Sequence, residues 1–168
     1  MFKYLPSLIK KDDKVERIKA YLFTPFSKRH HALAGPLHIW KMKRDFQIRF
    51  LKYVDLLPEH YLLDLGCGTL RGGIPIIDYL QAAHYYGIEI RSKVLLEALK
   101  ELEDAKLINQ QPYLMLAPTL TSINLGRKFD VIWAFDLLFI LSDQVIDACL
   151  TFAFYHLDDI RAVSYTHL

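Results

Sequence analysis

Residues 61–73 read Tyr-Leu-Leu-Asp-Leu-Gly-Cys-Gly-Thr-Leu-Arg-Gly-Gly, and this run limits what the chain can fold into more than any other. Tyr61 to Leu65 has the length and bulk of a buried parallel strand. Gly66 ends it, Cys67, Gly68 and Thr69 make a tight turn, and Leu70 to Leu80 reads as a helix facing back onto the strand. Glycine has no Cβ, so such a turn accepts positive φ and lets a ligand lie directly on the backbone. The first turn of the helix adds unpaired N–H groups aimed at the same place. Strand, glycine turn and helix in this order open a nucleotide-binding βαβ unit.

Two details separate the possible nucleotides. Asp64 precedes the first glycine by two residues, and Arg71 stands where a dinucleotide fingerprint carries its third glycine. Gly72 and Gly73 come one and two places late. A pyrophosphate wants a clear approach to the turn, whereas a ligand bearing an ammonium wants an acid beside it. Tyr85 to Glu89 is a second short strand ending in an acid, 21 positions after Gly68. A spacing of about 20 suits the carboxylate that grips ribose hydroxyls. Nicotinamide and sulfonium nucleosides share that ribose, so Glu89 alone does not choose between them.

With the Gly-Cys-Gly-Thr turn, Asp64-x-Gly66-x-Gly68 and Glu89 resemble the first two motifs of the class I S-adenosylmethionine-dependent methyltransferases, over about Tyr61 to Leu157. The resemblance implies an α/β, Rossmann-like open sheet, mainly parallel, with flanking helices and preceded by N-terminal helices. It implies S-adenosylmethionine as cofactor and an unidentified methyl acceptor, small molecule or macromolecular side group. Implied cofactor contacts are Asp64, Leu65, Gly66, Cys67, Gly68 and Thr69 at the turn, and Glu89 and Ile90 at the second strand. Ala134, Phe135 and Asp136 form the floor under the methionine part. Ala117 and Pro118 fall where the adenine is contacted, without the usual polar partner. His38 and Trp40, ahead of the first strand, are candidate lid or substrate contacts. Arg71 either binds an anionic substrate group, folds outward or pairs with a nearby acid.

Methyl transfer from a sulfonium is an in-line displacement in which positioning dominates, so no catalytic residue follows from sequence. His38 and Asp136 are the first to test as proton acceptors. Two other readings stand beside the transferase. One is an NAD(P)-dependent oxidoreductase on the same fold, although no Tyr-x-x-x-Lys is present. The other is a module that binds S-adenosylmethionine and transfers nothing.

The rest of the chain bounds these readings. Its 168 residues suit one domain, divided into a helical lid or extension over 1–58 and the cofactor domain over 59–168. No apolar run reaches about 18 residues and no signal core precedes the fold, which leaves a reducing cytoplasm as the expected compartment. Cys67 and Cys149 suggest neither a disulfide framework nor a metal site. His30 and His31 are adjacent and would not face one ion together. Residues 1–60 carry 13 Lys and Arg against six Asp and Glu, which reads as a solvated helical face, and nucleic-acid binding is not supported.

Helices are expected over Lys10–Phe23, Leu37–Leu57, Lys93–Leu107 with Ser92 as N-cap, and Ser142 or Asp143 to about His156. Further strands are expected over Pro112–Leu116, Phe129–Phe135 and from Asp158 to Val163. Methyltransferases of this class add a helix and an antiparallel hairpin after that point. The sequence therefore reads as truncated at its C-terminus, its final edge strands missing, and residues 164–168 as a candidate non-native ending.

Overall fold

The computed structural model describes residues 37–120 and 123–158, the backbone of Val163–Thr166, and Leu22. The expected helix over Lys10–Phe23, apart from Leu22, and the His30–His31 pair lie outside the described residues. Five strands form one sheet: β1 (Leu62–Leu65), β2 (Tyr85–Glu89), β3 (Tyr113–Leu116), β4 (Val131–Phe135) and β5 (Val163–Thr166). Their order is β3-β2-β1-β4-β5 and every pairing is parallel. Every residue of β1 and β4 is buried, as continuous apolar runs in a doubly covered sheet require. The winding reverses between β1 and β4, and open sheets of this kind take ligands at that point, beyond the carboxyl ends of the strands.

Among the described residues, four helices cover the sheet: α1 (Trp40–Tyr53), α2 (Gly73–Tyr79), α3 (Ser92–Asp104) and α4 (Asp143–His156). Strand side chains alternate between two cores. Leu62, Tyr85, Trp133 and Phe135 pack with Leu51 of α1, Ile76 and Ile77 of α2, and Ala98 and Leu102 of α3. Leu63, Ile88, Ile132 and Ala134 face the other way, onto Phe152 and Ala153 of α4. Burying a side chain as large as Ile76 or Ile77 is worth about 1.5–3 kcal/mol over leaving it in water.

Helix α1 is bound to this core by polar as well as apolar groups. Its buried face is Trp40, Lys43, Gln47 and Leu51, spaced three and four apart. Gln47 Oε1 accepts a hydrogen bond from the Trp133 indole at 2.9 Å. Phe50 lies against the Trp133 ring and Phe46 against Phe135, with centroids 5.8 and 6.0 Å apart.

Several element boundaries differ from the sequence expectation. Leu70 has φ +58°, outside the helical region, so α2 starts at Gly73 rather than at Leu70. The segment expected as a helix from Leu37 begins with a 3₁₀ turn over Leu37–Ile39, and α1 ends at Tyr53. Ser92 is the first residue of α3, not its cap: Arg91 holds the cap position without a side-chain bond. The ladder of β4 starts at Val131, and Phe129 makes an isolated bridge to Leu157 instead. The fifth strand comes later than expected, at Val163–Thr166, in register with Ile132–Phe135.

Candidate functional site

The ends of β1, β2 and β4 meet at one rim. Asp64 pairs in register with Gly87 on one side and Trp133 on the other. Glu89, two residues beyond Gly87, therefore lies on the same face of the sheet as Asp64. Both acids are buried.

The turn between them is fixed by β2. The N–H groups of Gly66 and Cys67 both donate to the Ile88 carbonyl, at 2.8 and 3.0 Å. Gly66 and Gly68 have φ of +73° and +59°, which glycine alone adopts without strain. Cys67 faces inward, its Sγ lying 3.0 Å from where a Cβ on Gly87 would sit, and burial pushes its thiol well above the usual range. Thr69 is fully buried, and its hydroxyl has no hydrogen-bond partner among the described residues.

Asp64 Oδ2 accepts a hydrogen bond from the Tyr85 hydroxyl at 2.6 Å. Burial raises the Asp64 carboxyl to about 7; the Tyr85 hydrogen bond and the Arg71 charge pull it down, and the Glu89 charge adds to the rise. Glu89 Oε1 accepts from the backbone N–H groups of Ile90 and Arg91 and from Arg91 Nε, at 2.9–3.0 Å. Among the described residues, its Oε2 accepts only from Arg91 Nη2, at 3.2 Å. The carboxylate is thus held by its own turn, with Oε2 the less engaged oxygen.

At the end of β4, Asp136 has φ +55° and presents Oδ2 to two cations. Lys43 Nζ donates at 2.5 Å and Arg71 Nη2 at 2.9 Å. Both cations also lie 5.7 Å from the centroid of the Phe135 ring. Of the arrangements open to Arg71 from sequence, the structure has the pairing with an acid. Burial lowers its guanidinium from the usual range, and Asp136 opposes that.

The remaining expected site residues divide by exposure. Leu65, Ala134 and Phe135 are buried. Ile90 is 60% exposed, just past Glu89. Ala117, at the end of β3, is buried and donates its N–H to the Glu89 carbonyl. His38 is exposed ahead of α1, whereas Trp40 is buried with the Arg44 guanidinium over its ring. Among the described residues, no cluster of His, Cys, Asp and Glu has the arrangement of a metal site. No helix among them is long and apolar enough to cross a membrane.

Sequence reasoning missed Lys43, Gln47, Tyr85 and Arg91 as neighbours of the site. A signal existed for the first two. They interrupt the stripe Trp40-Lys43-Gln47-Leu51 with polar groups, and a polar residue on a buried helix face needs a partner across the interface.

No protein-family model and no curated protein matches the chain. Solved structures do. Magnesium protoporphyrin IX methyltransferase (ChlM) from Synechocystis PCC 6803, with bound SAM, is similar at a TM-score of 0.62 and 19% identity, over 86% of this chain and 66% of that one. A S-adenosylmethionine-dependent methyltransferase from Clostridium acetobutylicum ATCC 824 is similar at 0.57 and 21%, over 71% and 47%. The glycopeptide N-methyltransferase MtfA complexed with sinefungin is similar at 0.57 and 16%, over 69% and 49%. The chain spans less than two thirds of the length of each. At these identities the likeness establishes the fold: Rossmann-like α/β, as in S-adenosylmethionine-dependent methyltransferases.

Proposed function

We propose that the crevice at the rim of β1, β2 and β4 binds S-adenosylmethionine and that the chain is the cofactor-binding part of a methyltransferase. The observation that carries this is the pairing of Asp64 and Glu89. Both are buried, both lie on one face of the sheet, and a turn with two positive-φ glycines stands between them.

The residues fit such a ligand on chemical grounds. Glu89 Oε2 has lone pairs to spare for a ribose hydroxyl, while Oε1 is held by backbone amides. No hydrogen bond among the described residues reaches Asp64 Oδ1, so that oxygen accepts the ammonium. Phe135, on the same face of the sheet as Asp64, supplies an apolar floor, and Ile90 an exposed apolar surface beside the ribose position. The buried, unpartnered Thr69 hydroxyl gives the turn a further polar group. When bound, the sulfonium supplies an activated methyl, and the protein's part is to hold it in line with the acceptor.

A nicotinamide dinucleotide fits less well. Its pyrophosphate would have to settle beside the Asp64 carboxyl, and the third-glycine position is filled by Arg71, whose guanidinium is turned to Asp136. The neighbours named above act, by their names, on a porphyrin and a glycopeptide, and no common acceptor follows from them. His38, exposed ahead of α1, is the acceptor-side group we favour; Trp40 and Arg71 are engaged in packing and in the Asp136 pair.

Calorimetric titration of the full chain with S-adenosylhomocysteine and, separately, with NAD⁺ and NADP⁺ tests the reading. Saturable binding of the first alone is expected. A folded chain that binds only a nicotinamide nucleotide would overturn it.

A further inference from the structure

Tyr85 begins β2 and is buried, 1% exposed as a residue. A buried phenolic hydroxyl needs a partner. It finds Asp64 Oδ2 across the strand pair at 2.6 Å, the length of a charge-assisted O–H···O⁻ bond. Space for the hydroxyl is left by α2: a Cβ on Gly73 would sit 2.7 Å from it. Residues from β1, β2 and the start of α2 thus combine to put one donor on one carboxylate oxygen. Other charged or titratable groups around Asp64 are Glu89 from β2 and Cys67 and Arg71 from the turn. Lys43 of α1 and Asp136 at the end of β4 bind each other, and Asp136 also binds Arg71.

We propose that Tyr85 is a positioning residue for the cationic end of the ligand: its hydroxyl holds Asp64 by Oδ2 and leaves Oδ1 as the acceptor that faces the crevice. This rests on the proposed function, in which Asp64 receives the ammonium of the sulfonium nucleoside. Two consequences follow. An ammonium is bound by the ionised carboxylate, so binding weakens as pH falls and Asp64 takes up a proton. The phenol favours the ionised form, so without it more alkaline conditions are needed for the same affinity.

The test is calorimetry of S-adenosylhomocysteine binding between about pH 5.5 and 8.5, on the full wild-type chain, Tyr85→Phe and Asp64→Asn. It is joined by a ¹³C-carboxyl titration of Asp64 in the ligand-free wild-type and Tyr85→Phe proteins. For the wild type, the association constant should rise about tenfold per pH unit up to about 7 and then level. Tyr85→Phe should move that inflection up by about one unit, lowering affinity about fivefold at pH 7 and about tenfold at about pH 5.5–6, and restoring it near pH 8.5. Asp64→Asn, which leaves Tyr85 in place, should remove the pH dependence. Uniform weakening of Tyr85→Phe at every pH with an unmoved inflection would mark a purely structural role and overturn the inference. An unchanged Asp64 carboxyl titration in Tyr85→Phe would overturn it as well, and that readout does not depend on any ligand. Absence of binding by folded wild type at every pH would instead overturn the proposed function, with the carboxyl titration still deciding the hold of Tyr85 on Asp64.

Discussion

Gly72 and Gly73 are glycines on account of different neighbours, and neither neighbour is a ligand. A Cβ on Gly72 would sit 2.1 Å from Gln47 Oε1, and one on Gly73 would sit 2.5 Å from Leu70 Cδ2 and 2.7 Å from the Tyr85 hydroxyl. Gly73→Ala should therefore cost about 1–3 kcal/mol by overpacking, read as a lower urea midpoint. A midpoint equal to wild type would mean that Leu70 and Tyr85 yield without loss. Asp64 supplies a second prediction. Its carboxyl is about 7 in the fold against 3.8 for the free group, so the native state holds a proton that the unfolded chain has lost. This contribution to stability is complete below about pH 4 and disappears as pH rises to about 7. Asp64→Asn should remove that decline, so its stability gain over wild type should be larger at pH 8 than at pH 5. Equal gains at both pH values would contradict the burial assigned to the carboxyl. At this scale the placement of Asp64 and Glu89 at neighbouring strand ends was legible, because both stand at fixed distances from glycines along the chain. The roles of Gly72 and Gly73 were not, because the atoms that exclude a Cβ belong to residues 47 and 85 as well as to Leu70.

Among the elements, α1 shows how a helix placed before the first strand comes to stand beside the site. Gln47 bonds Trp133 from one oxygen, and Lys43 reaches Asp136 one turn away. Gln47→Leu should leave the Trp133 indole N–H buried without a partner, at a cost of about 1–3 kcal/mol. Thermal unfolding checks this, and stability equal to wild type would mean the indole finds another acceptor. The amphipathic stripe of α1 was readable as a helix against a sheet. Its attachment was not, since the partners are 86 and 93 residues away in sequence. The start of α2 was misplaced for a local reason. Leucine is a good helix former, yet Leu70 takes a left-handed conformation at φ +58° to finish the turn, and tertiary packing outweighs propensity there. The shift of β5 toward Val163 has the opposite lesson: its register is set by pairing with β4, which residues 158–163 alone do not reveal.

For the whole molecule, the strand order β3-β2-β1-β4-β5 brings Asp64, Glu89 and Asp136 to one rim although 72 positions separate the first from the last. The sequence order of apolar strands and helices implied that topology, since right-handed parallel crossovers leave few alternatives. Mutual geometry was the part that sequence could not hold: Arg71 and Lys43 on one oxygen of Asp136, and Arg91 around Glu89. What occupies the rim is tested most directly by a structure of the full chain crystallised with S-adenosylhomocysteine. The ribose is predicted on Glu89 and the ammonium on Asp64, with the chain of the ligand across Gly66 to Gly68. Ligand density anywhere else, with Glu89 and Asp64 both untouched, would contradict the account.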